Sequence, residues 1–332
     1  MLKKFFLSAL VILAILLLIA LYRTVTHSAP VAEIISGKDI SIDEIKASQN
    51  LAASIRFKTI SYQDEEKFPY EEFNNFIKWA STTYPEFHKV MEIEQLEHSL
   101  LFKWQGSDSM LAPILFEGHH DVVPIIPGTE NLWQEDPFAG VISNNRIWGR
   151  GALDDKSGVI GLMEAATYLI KNNFKPKRTI YFSFGHDEEV GGSGAALITE
   201  KLRQEGVQLS WSLGEGSFVN KGFFPGIDKF IAPINVAEKG SANIMIIANA
   251  KGGHSSTPPT RTAVTILAEA LVKLEKEPLP GSLEGLSAAM FNEVSKHMPF
   301  GYRFLFANRW LFGGMLDSQL SSTPVILSLI HI

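Results

Sequence analysis

Short apolar runs alternate with amphipathic stretches through the middle of the chain. Runs of strand length, rich in aromatic and aliphatic residues, occur at 100–104, 114–116, 179–184 and 209–213. Around and between them, apolar residues recur at helical spacing over 43–57, 70–83, 159–170 and 195–202. Strands that alternate with helices favour an α/β fold, so we expect a mostly parallel sheet with helices on both faces.

The pattern changes near Glu238. A largely apolar run over 241–250 predicts a long strand, and apolar residues on one helical face predict a helix over 264–274. The segment 298–316 is rich in aromatic residues, and packing inside this region explains them better than a ligand-lining groove. We therefore expect three parts: an N-terminal segment with a tether over 1–37, an α/β domain over 38–237, and a smaller α+β domain over 238–332.

The first hydrophobic segment is long enough to cross a membrane. Lys3 and Lys4 precede the nearly unbroken apolar run 5–22, and Arg23 follows it. A signal-peptide core is shorter, about 7–15 residues, so a retained transmembrane helix is favoured over a cleaved signal. The two lysines then lie in the cytoplasm and the main body lies outside it. Cleavage after Ala29 would instead release a secreted protein.

Composition excludes several classes of protein. The 332 residues are 45% hydrophobic and 20% charged, which is typical of a globular protein with room for two domains. The net charge is −6 and no basic stripe occurs, so we expect no nucleic-acid partner. The absence of cysteine excludes disulfides and thiolate metal sites, and it suits an oxidising compartment.

Candidate chemistry is concentrated in four acidic or histidine-bearing clusters, which are His119–Asp121, Asp154–Asp155, Glu188–Glu189 and Glu215. Each comes shortly after a strand-like run, and binding sites of open α/β sheets gather outside the carboxyl ends of the strands. Singly, each has a simpler explanation, such as a structural histidine, a helix cap or a solvated turn. Together they are a ligand set for a divalent metal, and the sequence predicts a metal-dependent hydrolase.

The adjacent glutamates suit this chemistry. One of Glu188 and Glu189 can bind a metal while the other moves a proton from a metal-bound water to the leaving amine. In a two-metal site one carboxylate must bridge the ions, and Asp154 is the natural candidate.

Longer motifs connect these clusters to a known family. The segments 119–124 (HHDVVP), 137–140 (PFAG), 149–156 (GRGALDDK), 185–189 (GHDEE) and 214–216 (GEG) together resemble the M20 family of zinc metallopeptidases. The most similar branch is that of carboxypeptidase S and the N-acyl-amino-acid hydrolases. The resemblance extends from about Ile45 to Trp310. It implies a zinc-exopeptidase-like catalytic domain that carries a smaller lid domain, with a possible homodimer formed through the lid.

The resemblance also implies a metal site. His119 and Glu215 correspond to ligands of one zinc ion, Glu189 to a ligand of a second, and Asp154 to the bridging carboxylate. Cobalt or manganese could replace zinc in such a site.

Three further roles follow from the resemblance. Asp121 corresponds to the carboxylate that supports His119, and Glu188 to the general base and acid. His254, which its spacing alone would assign to a loop, corresponds to the lid histidine that polarises the scissile carbonyl, commonly across a dimer interface. The implied reaction is hydrolysis of a C-terminal peptide bond or of an N-acyl amino-acid amide by a metal-activated water.

The chain departs from the family near its C-terminus. In the family, the catalytic domain resumes after the lid and supplies a late histidine to the second metal. This chain ends at Ile332, and His331 lies in a different context, so we expect a C-terminally truncated chain whose second metal lacks a protein ligand. A degenerate fragment that binds peptide or metal without catalysis is the alternative for the chain as it stands. Among hydrolases, the alternative is a two-zinc aminopeptidase.

Overall fold

The computed structural model describes residues 2–30, 40–237, 240, 243–277 and 284–321. The chain divides into two compact units. One unit comprises residues 36–216, and the other combines the N-terminal residues 1–35 with residues 217–332. The three-part organisation expected from the sequence, with boundaries at 37/38 and 237/238, stays a prediction.

The N-terminal apolar run forms helix α1 (Leu2–Thr26). Its segment Lys3–Thr26 is long and apolar enough to cross a membrane, with a mean hydropathy of 3.0 in its most apolar window. Only 6% of that window is buried, so the helix is not a core helix of the fold. A signal sequence near the N-terminus would have the same properties.

The larger unit is built on a five-stranded sheet with a small separate hairpin. The strands in chain order are β1 (Glu92–Leu96), β2 (Ser99–Trp104), β3 (Ile114–His119), β4 (Val141–Ser143), β5 (Arg146–Trp148), β6 (Ile180–Gly185) and β7 (Trp211–Leu213). The order in the sheet is β1-β2-β6-β3-β7, while β4 and β5 pair only with each other. Strands β3, β6 and β7 are parallel, whereas β1, β2 and β6 pair in antiparallel fashion.

The prediction of a mostly parallel sheet is therefore wrong, because the sheet is mixed. The antiparallel pairing of β1 with β2 results from the two-residue turn at Glu97 and His98, which connects these strands directly. So short a turn joins only antiparallel strands. Glu97 has the positive φ of 55° that such a turn requires. Strand β1 escaped sequence analysis because it is an edge strand with the exposed, polar residue Glu92 and little apolar pattern.

Helices cover both faces of this sheet, as expected. They are α2 (Glu44–Ile55), α3 (Tyr70–Thr83), α4 (Pro85–Val90), α5 (Lys156–Lys171) and α6 (Ser193–Gln204). Side chains alternate along a strand, so neighbouring residues of β2 enter different cores. Phe102 packs with Phe76 and Met163 from α3 and α5, whereas Leu101 packs with Ile198 from α6 on the other face.

In its described residues, the second unit contains two short strands and four further helices besides α1. They are β8 (Asn220–Lys221), β9 (Phe230–Ile231), α7 (Ala263–Lys276), α8 (Gly285–Ser295), α9 (Phe300–Ala307) and α10 (Arg309–Ser321). A small core includes Phe224, Phe291 and Phe306. The predicted helix over 264–274 is confirmed as α7, and part of the aromatic segment packs inside the unit as expected.

The strand predicted over 241–250 is not formed in its described part, residues 243–250. Within the described ranges, no strand pairs with this run. Ile244 and Met245 are 85% and 82% exposed, so their apolar side chains are not buried against a neighbouring layer. A strand needs a hydrogen-bonded partner, and an apolar run alone does not provide one. Residues 241–242 lie outside the described residues.

Candidate metal centre

The larger unit brings the predicted site residues other than His254 together at one edge of its sheet. His119 is the last residue of β3, Asp154 precedes α5, Glu188 and Glu189 follow β6, and Glu215 follows β7. Because β3, β6 and β7 are parallel, their carboxyl ends lie at the same edge. The shared position expected from the sequence is thus a property of the fold.

His119 lies at the centre of this cluster. Its Nε2 is 3.0 Å from Asp154 Oδ1, 3.4 Å from Glu215 Oε1 and 3.8 Å from Glu188 Oε2. One ligand atom from each of His119, Asp154 and Glu215 lies within 4.8 Å of the others. In the part of the chain that the structure describes, no other group of three such side chains converges as closely. Glu189 stands in the adjoining turn, outside this group of three.

Asp121 supports the cluster from behind. Its side chain is fully buried, and its Oδ1 is 3.2 Å from Nδ1 of His119, the ring nitrogen that faces away from Asp154. The same carboxylate accepts the backbone N–H of Glu188 and the backbone N–H of Glu189, each at 3.2 Å. Burial opposes ionisation, but the hydrogen bond and charge of His119 hold the pKa of Asp121 below its usual value. One buried carboxylate therefore positions both the histidine and the glutamate turn.

The glutamate turn is closed by a second carboxylate, that of Asp187. Its oxygens accept the backbone N–H groups of Ser193 at 2.6 Å and of Gly194 at 2.9 Å, which begin helix α6. A methyl group at Gly192 would collide with this carboxylate, so the glycine permits the close approach. The two ends of the loop that carries Glu188 and Glu189 are thereby held together.

Asp155 and Lys156 anchor the loop that carries Asp154. Asp155 caps helix α5 by accepting the backbone N–H of Gly158 at 3.1 Å, and it also accepts the backbone N–H of His119 at 3.3 Å. Lys156 is fully buried, and its ammonium donates to the carbonyl oxygens of Ser54 at 3.0 Å and Phe57 at 2.6 Å, where α2 ends. The capping role that the sequence offered for the two aspartates is thus filled by Asp155, which leaves the side chain of Asp154 beside His119.

Asp187 and Lys156 support the site but were not predicted to do so from the sequence. Asp187 could have been found from its place between a strand and a glycine-rich helix start, where carboxylates cap free N–H groups. Lys156 gave no signal, because its two partners lie about a hundred positions earlier in the chain. The neighbouring histidines have structural contacts: the His120 ring stacks on that of Phe76 with centroids 4.8 Å apart, and His186 Nδ1 is 2.7 Å from Ser99 Oγ.

The protonation of the cluster is that of a cation site. Burial opposes the charged form of His119, but Asp121 and Glu215 raise its pKa to about 10. Burial, opposed by the charge of His119 and reinforced by nearby carboxylates, raises the pKa of Glu215 to about 7, and burial with Asp154 raises that of Glu189. Burial and the neighbouring carboxylates thus favour the protonated forms of the two glutamates, and the carboxylates favour the protonated form of His119. A divalent cation can replace those protons, and a donor set of imidazole and carboxylates fits zinc.

His254 belongs to the second unit and therefore to another compact part of the chain. It is exposed, and its Nδ1 is 2.8 Å from Ser256 Oγ. Its backbone carbonyl accepts the N–H of Thr257 at 3.0 Å, which closes a turn. Its role at the carbonyl of a substrate stays a prediction.

The sequence of the site and its surroundings matches a protein family. Residues 115–308 match the sequence model of Peptidase family M20/M25/M40. The chain belongs to this family. The branch predicted from the sequence motifs is confirmed by its relatives, which are carboxypeptidase S-like proteins and N-acyl amino-acid hydrolases.

Three relatives illustrate this similarity. A probable carboxypeptidase S-like 2 of Dictyostelium discoideum is 37% identical over 91% of this chain and 59% of its own length. The human N-fatty-acyl-amino acid synthase/hydrolase PM20D1 is 35% identical over 87% of this chain and 58% of its own. Carboxypeptidase S of Saccharomyces cerevisiae is 34% identical over 74% of this chain and 43% of its own. The chain thus spans about half the length of the curated relatives that it matches.

Proposed function

We propose that this protein is a metal-dependent hydrolase that cleaves a C-terminal peptide bond or the amide of an N-acyl amino acid. The observation that carries this proposal is the convergence of His119, Asp154 and Glu215 within 4.8 Å beside the glutamate turn. Membership of the M20/M25/M40 peptidase family supports it. The two substrate classes are those named for the relatives, carboxypeptidase S and the N-fatty-acyl-amino acid synthase/hydrolase.

The geometry of the cluster supports three of the proposed metal ligands, and the family resemblance supplies the fourth, Glu189. His119, Asp154 and Glu215 would hold one zinc ion, and Asp154 with Glu189 would contribute to a second; cobalt and manganese suit the same donors. A zinc pair in this position supplies a Lewis acid and a bound water with a pKa near neutrality.

Glu188 is the proposed general base and acid. Its carboxylate reaches to within 3.8 Å of His119 Nε2, so it lies beside the ligands without being one of the three that converge most closely. Its backbone N–H is fixed on Asp121, which restrains where the carboxylate can point. From this position Glu188 can take a proton from the attacking water and deliver it to the leaving amine.

His254 is proposed to polarise the scissile carbonyl and to stabilise the negative charge that develops on its oxygen. Nδ1 of His254 accepts the backbone N–H of Ser256 at 3.2 Å, so the ring proton of the neutral imidazole is on Nε2, which can donate a hydrogen bond. A homodimer formed through the second unit would bring this residue to a partner's site, and it is part of the same proposal.

Helix α1 is proposed as a retained single-pass anchor, with the remainder of the chain outside the cytoplasm. Its length and apolar composition support this role, and the position of Lys3 and Lys4 sets the direction. Removal of α1 as a signal peptide would yield a secreted enzyme with the same site.

Metal content and hydrolysis by the full chain in detergent test the proposed reaction. The substrates are a panel of dipeptides and N-acyl amino acids, and the variants are His119→Ala, Glu188→Gln and the surface control Glu71→Gln. We expect zinc to be bound by wild type, Glu188→Gln and the control, and turnover only by wild type and the control. Zinc binding without hydrolysis of either substrate class would refute the function, and normal turnover of Glu188→Gln would refute the assigned base.

A further inference from the structure

The C-terminal end of α1 packs on helices of the second unit. Ala20 and Thr24 are 2% and 0% exposed, in contrast to the rest of the helix. The side-chain amide of Asn308, between α9 and α10, donates to the carbonyl of Ala20 at 3.1 Å and to Thr24 Oγ1 at 3.2 Å. Arg23 Nε donates to the carbonyl of Ala307 at 2.9 Å. This buried polar contact fixes the junction of α9 and α10 to one level of α1.

A second contact continues the same attachment beyond the end of the helix. His27 Nε2 is 2.8 Å from Ser295 Oγ, and the backbone N–H of Ala29 donates to the carbonyl of Lys296 at 3.2 Å. The chain that leaves α1 therefore runs along the end of α8. Attachment at several levels makes the end of α1 part of this unit rather than a loose tether.

The length of a membrane span indicates the depth at which the contact between Thr24 and Asn308 lies. A hydrocarbon core of about 30 Å requires about 20 helical residues. In α1 those residues lie between Lys4 and Arg23, two charged residues that each belong at a boundary. Thr24 and the residues packed on it are then at the outer boundary of the membrane, where the headgroups begin.

Helices α9 and α10 expose large apolar side chains on either side of this junction. Phe300, Tyr302, Trp310, Leu311 and Met315 are between 43% and 52% exposed. Scattered apolar residues on a surface need no explanation, but here five lie on two consecutive short helices. The partly buried ring of Phe304 adjoins them. Its centroid lies 6.4 Å from that of Phe300 and 5.6 Å from that of Phe312, which is also partly buried. We call these five exposed side chains the aromatic surface.

We propose that the aromatic surface lies in the outer interfacial layer of the membrane that α1 spans. This inference rests on the proposed anchoring of α1. Tryptophan and tyrosine concentrate at that depth, because an apolar ring with one polar atom suits the boundary between hydrocarbon and water. Phe300, Leu311 and Met315 supply apolar area for the acyl chains, as in helices that lie in the plane of a membrane. The occupant of the surface is therefore lipid, and the second unit is held to the bilayer by α9 and α10 as well as by α1.

Single-cysteine labelling tests the depth of this surface in the full chain. The 332-residue chain contains no cysteine, so a single introduced thiol is the sole site for a thiol-reactive, environment-sensitive fluorophore. The variants are Leu311→Cys and Met315→Cys on the aromatic surface, Leu13→Cys in the middle of α1, and Glu275→Cys on the exposed side of α7 as a control. Each is reconstituted in phosphatidylcholine vesicles whose lipids carry a nitroxide quencher either near the headgroup or deep in the acyl chain.

We expect the shallow quencher to reduce emission from positions 311 and 315 severalfold more than from position 275. The deep quencher should act on position 13. If position 13 is quenched while 311 and 315 stay accessible to aqueous iodide, the aromatic surface is not in the membrane and the inference fails while the anchoring stands. If position 13 is not quenched, the anchoring fails and the inference falls with it. Protection of positions 311 and 315 from both the lipid quencher and iodide, lost when the protein is diluted in lipid, would identify a second copy of the chain as the occupant instead.

A cross-linking pair tests the contact that sets the depth. Thr24→Cys with Asn308→Cys joins two side chains whose native polar atoms are 3.2 Å apart, whereas Thr26→Cys with Asn308→Cys is a control because Thr26 is exposed and bonds only within α1. A short bifunctional thiol reagent should link the first pair in vesicles and not the second. Equal linkage of both pairs, or of neither, would overturn the docking of α1 on which the inference depends.

Discussion

Replacement of Asp121 by asparagine should weaken metal binding and loosen the glutamate turn at the same time. The native carboxylate is near three partners: it lies by His119 Nδ1 and accepts the backbone N–H groups of Glu188 and Glu189. An asparagine side chain presents one oxygen and one NH₂ group, and the NH₂ group can accept from none of them. At least one backbone N–H is therefore left facing a donor, in a place where the native side chain is fully buried.

The size of the effect follows from the type of hydrogen bond lost. A hydrogen bond to a charged group contributes about 1.5–3 kcal/mol, so the loss of one or two such bonds should lower the free energy of unfolding by about 1.5–6 kcal/mol. Loss of the carboxylate that orients a metal-binding histidine typically reduces metal affinity by about 10–100-fold. We therefore expect zinc to bind Asp121→Asn within that range of weakening.

Zinc affinity by competition with a chromogenic chelator, together with urea denaturation of the metal-free chain, measures both effects. Asp108→Asn is the matched control, because Asp108 also accepts a backbone N–H, from Met110 at 2.9 Å, but in an exposed loop. The control should leave affinity and stability nearly unchanged. Zinc affinity of Asp121→Asn within twofold of wild type would show that Asp121 does not position His119, and unchanged stability would show that its bonds to the glutamate turn contribute nothing.

Three further predictions concern the surroundings of the same site. Zinc binding near pH 7 should release protons, because in the metal-free site the pKa of His119 is about 10 and that of Glu215 is about 7. Calorimetry in two buffers of different ionisation enthalpy would measure this release. Zinc affinity should therefore weaken as the pH falls. Asp187→Ala should remove two backbone hydrogen bonds at the start of α6, so hydrogen exchange at Ser193 and Gly194 should accelerate by roughly 10-fold or more; unchanged protection would contradict the closing of the turn. Burial lowers the pKa of Lys156 from 10.5 to about 7, so between these pH values the unfolded chain binds more protons than the folded chain. The stability of wild type relative to Lys156→Met should therefore increase as the pH rises from 7 to 10. If urea denaturation gives parallel curves of stability against pH for the two proteins, this coupling is excluded.

The sequence predicted those features that leave a local pattern. Helix α3 was expected over 70–83 and begins and ends there, because its apolar residues recur at a helical period on a polar background. The site clusters were expected to converge because each follows a strand-like run. The parallel set β3, β6 and β7 brings three of them to one edge, while Asp154 reaches it from the loop before α5. For these features, neighbouring residues carry the information.

Features that depend on a distant partner were missed or wrong. Strand β1 exists because β2 folds back on it, and the apolar run over 241–250 shows that hydrophobicity without a partner does not make a strand. Likewise, nothing adjacent to Lys156 in the sequence indicates that its ammonium donates to carbonyl groups at the end of helix α2, about a hundred residues earlier. Hydrogen bonds between remote backbone atoms and side chains become visible only once the chain is folded.

Asp121 also explains why the candidate metal ligand and the candidate base should not behave as independent residues. Strands β3 and β6 pair in parallel with His119 opposite Gly185, and the N–H of His120 donates to the carbonyl of Gly185 at 2.9 Å. The register of this pair places the residues after both strands side by side, and Asp121 then joins them through one carboxylate. A change that displaces His119 is therefore transmitted to the backbone of Glu188, and the reverse also holds. Because the two share a support, the free-energy effects of substitutions at His119 and Glu188 on metal binding should be non-additive, as is usual for residues in one hydrogen-bonded network.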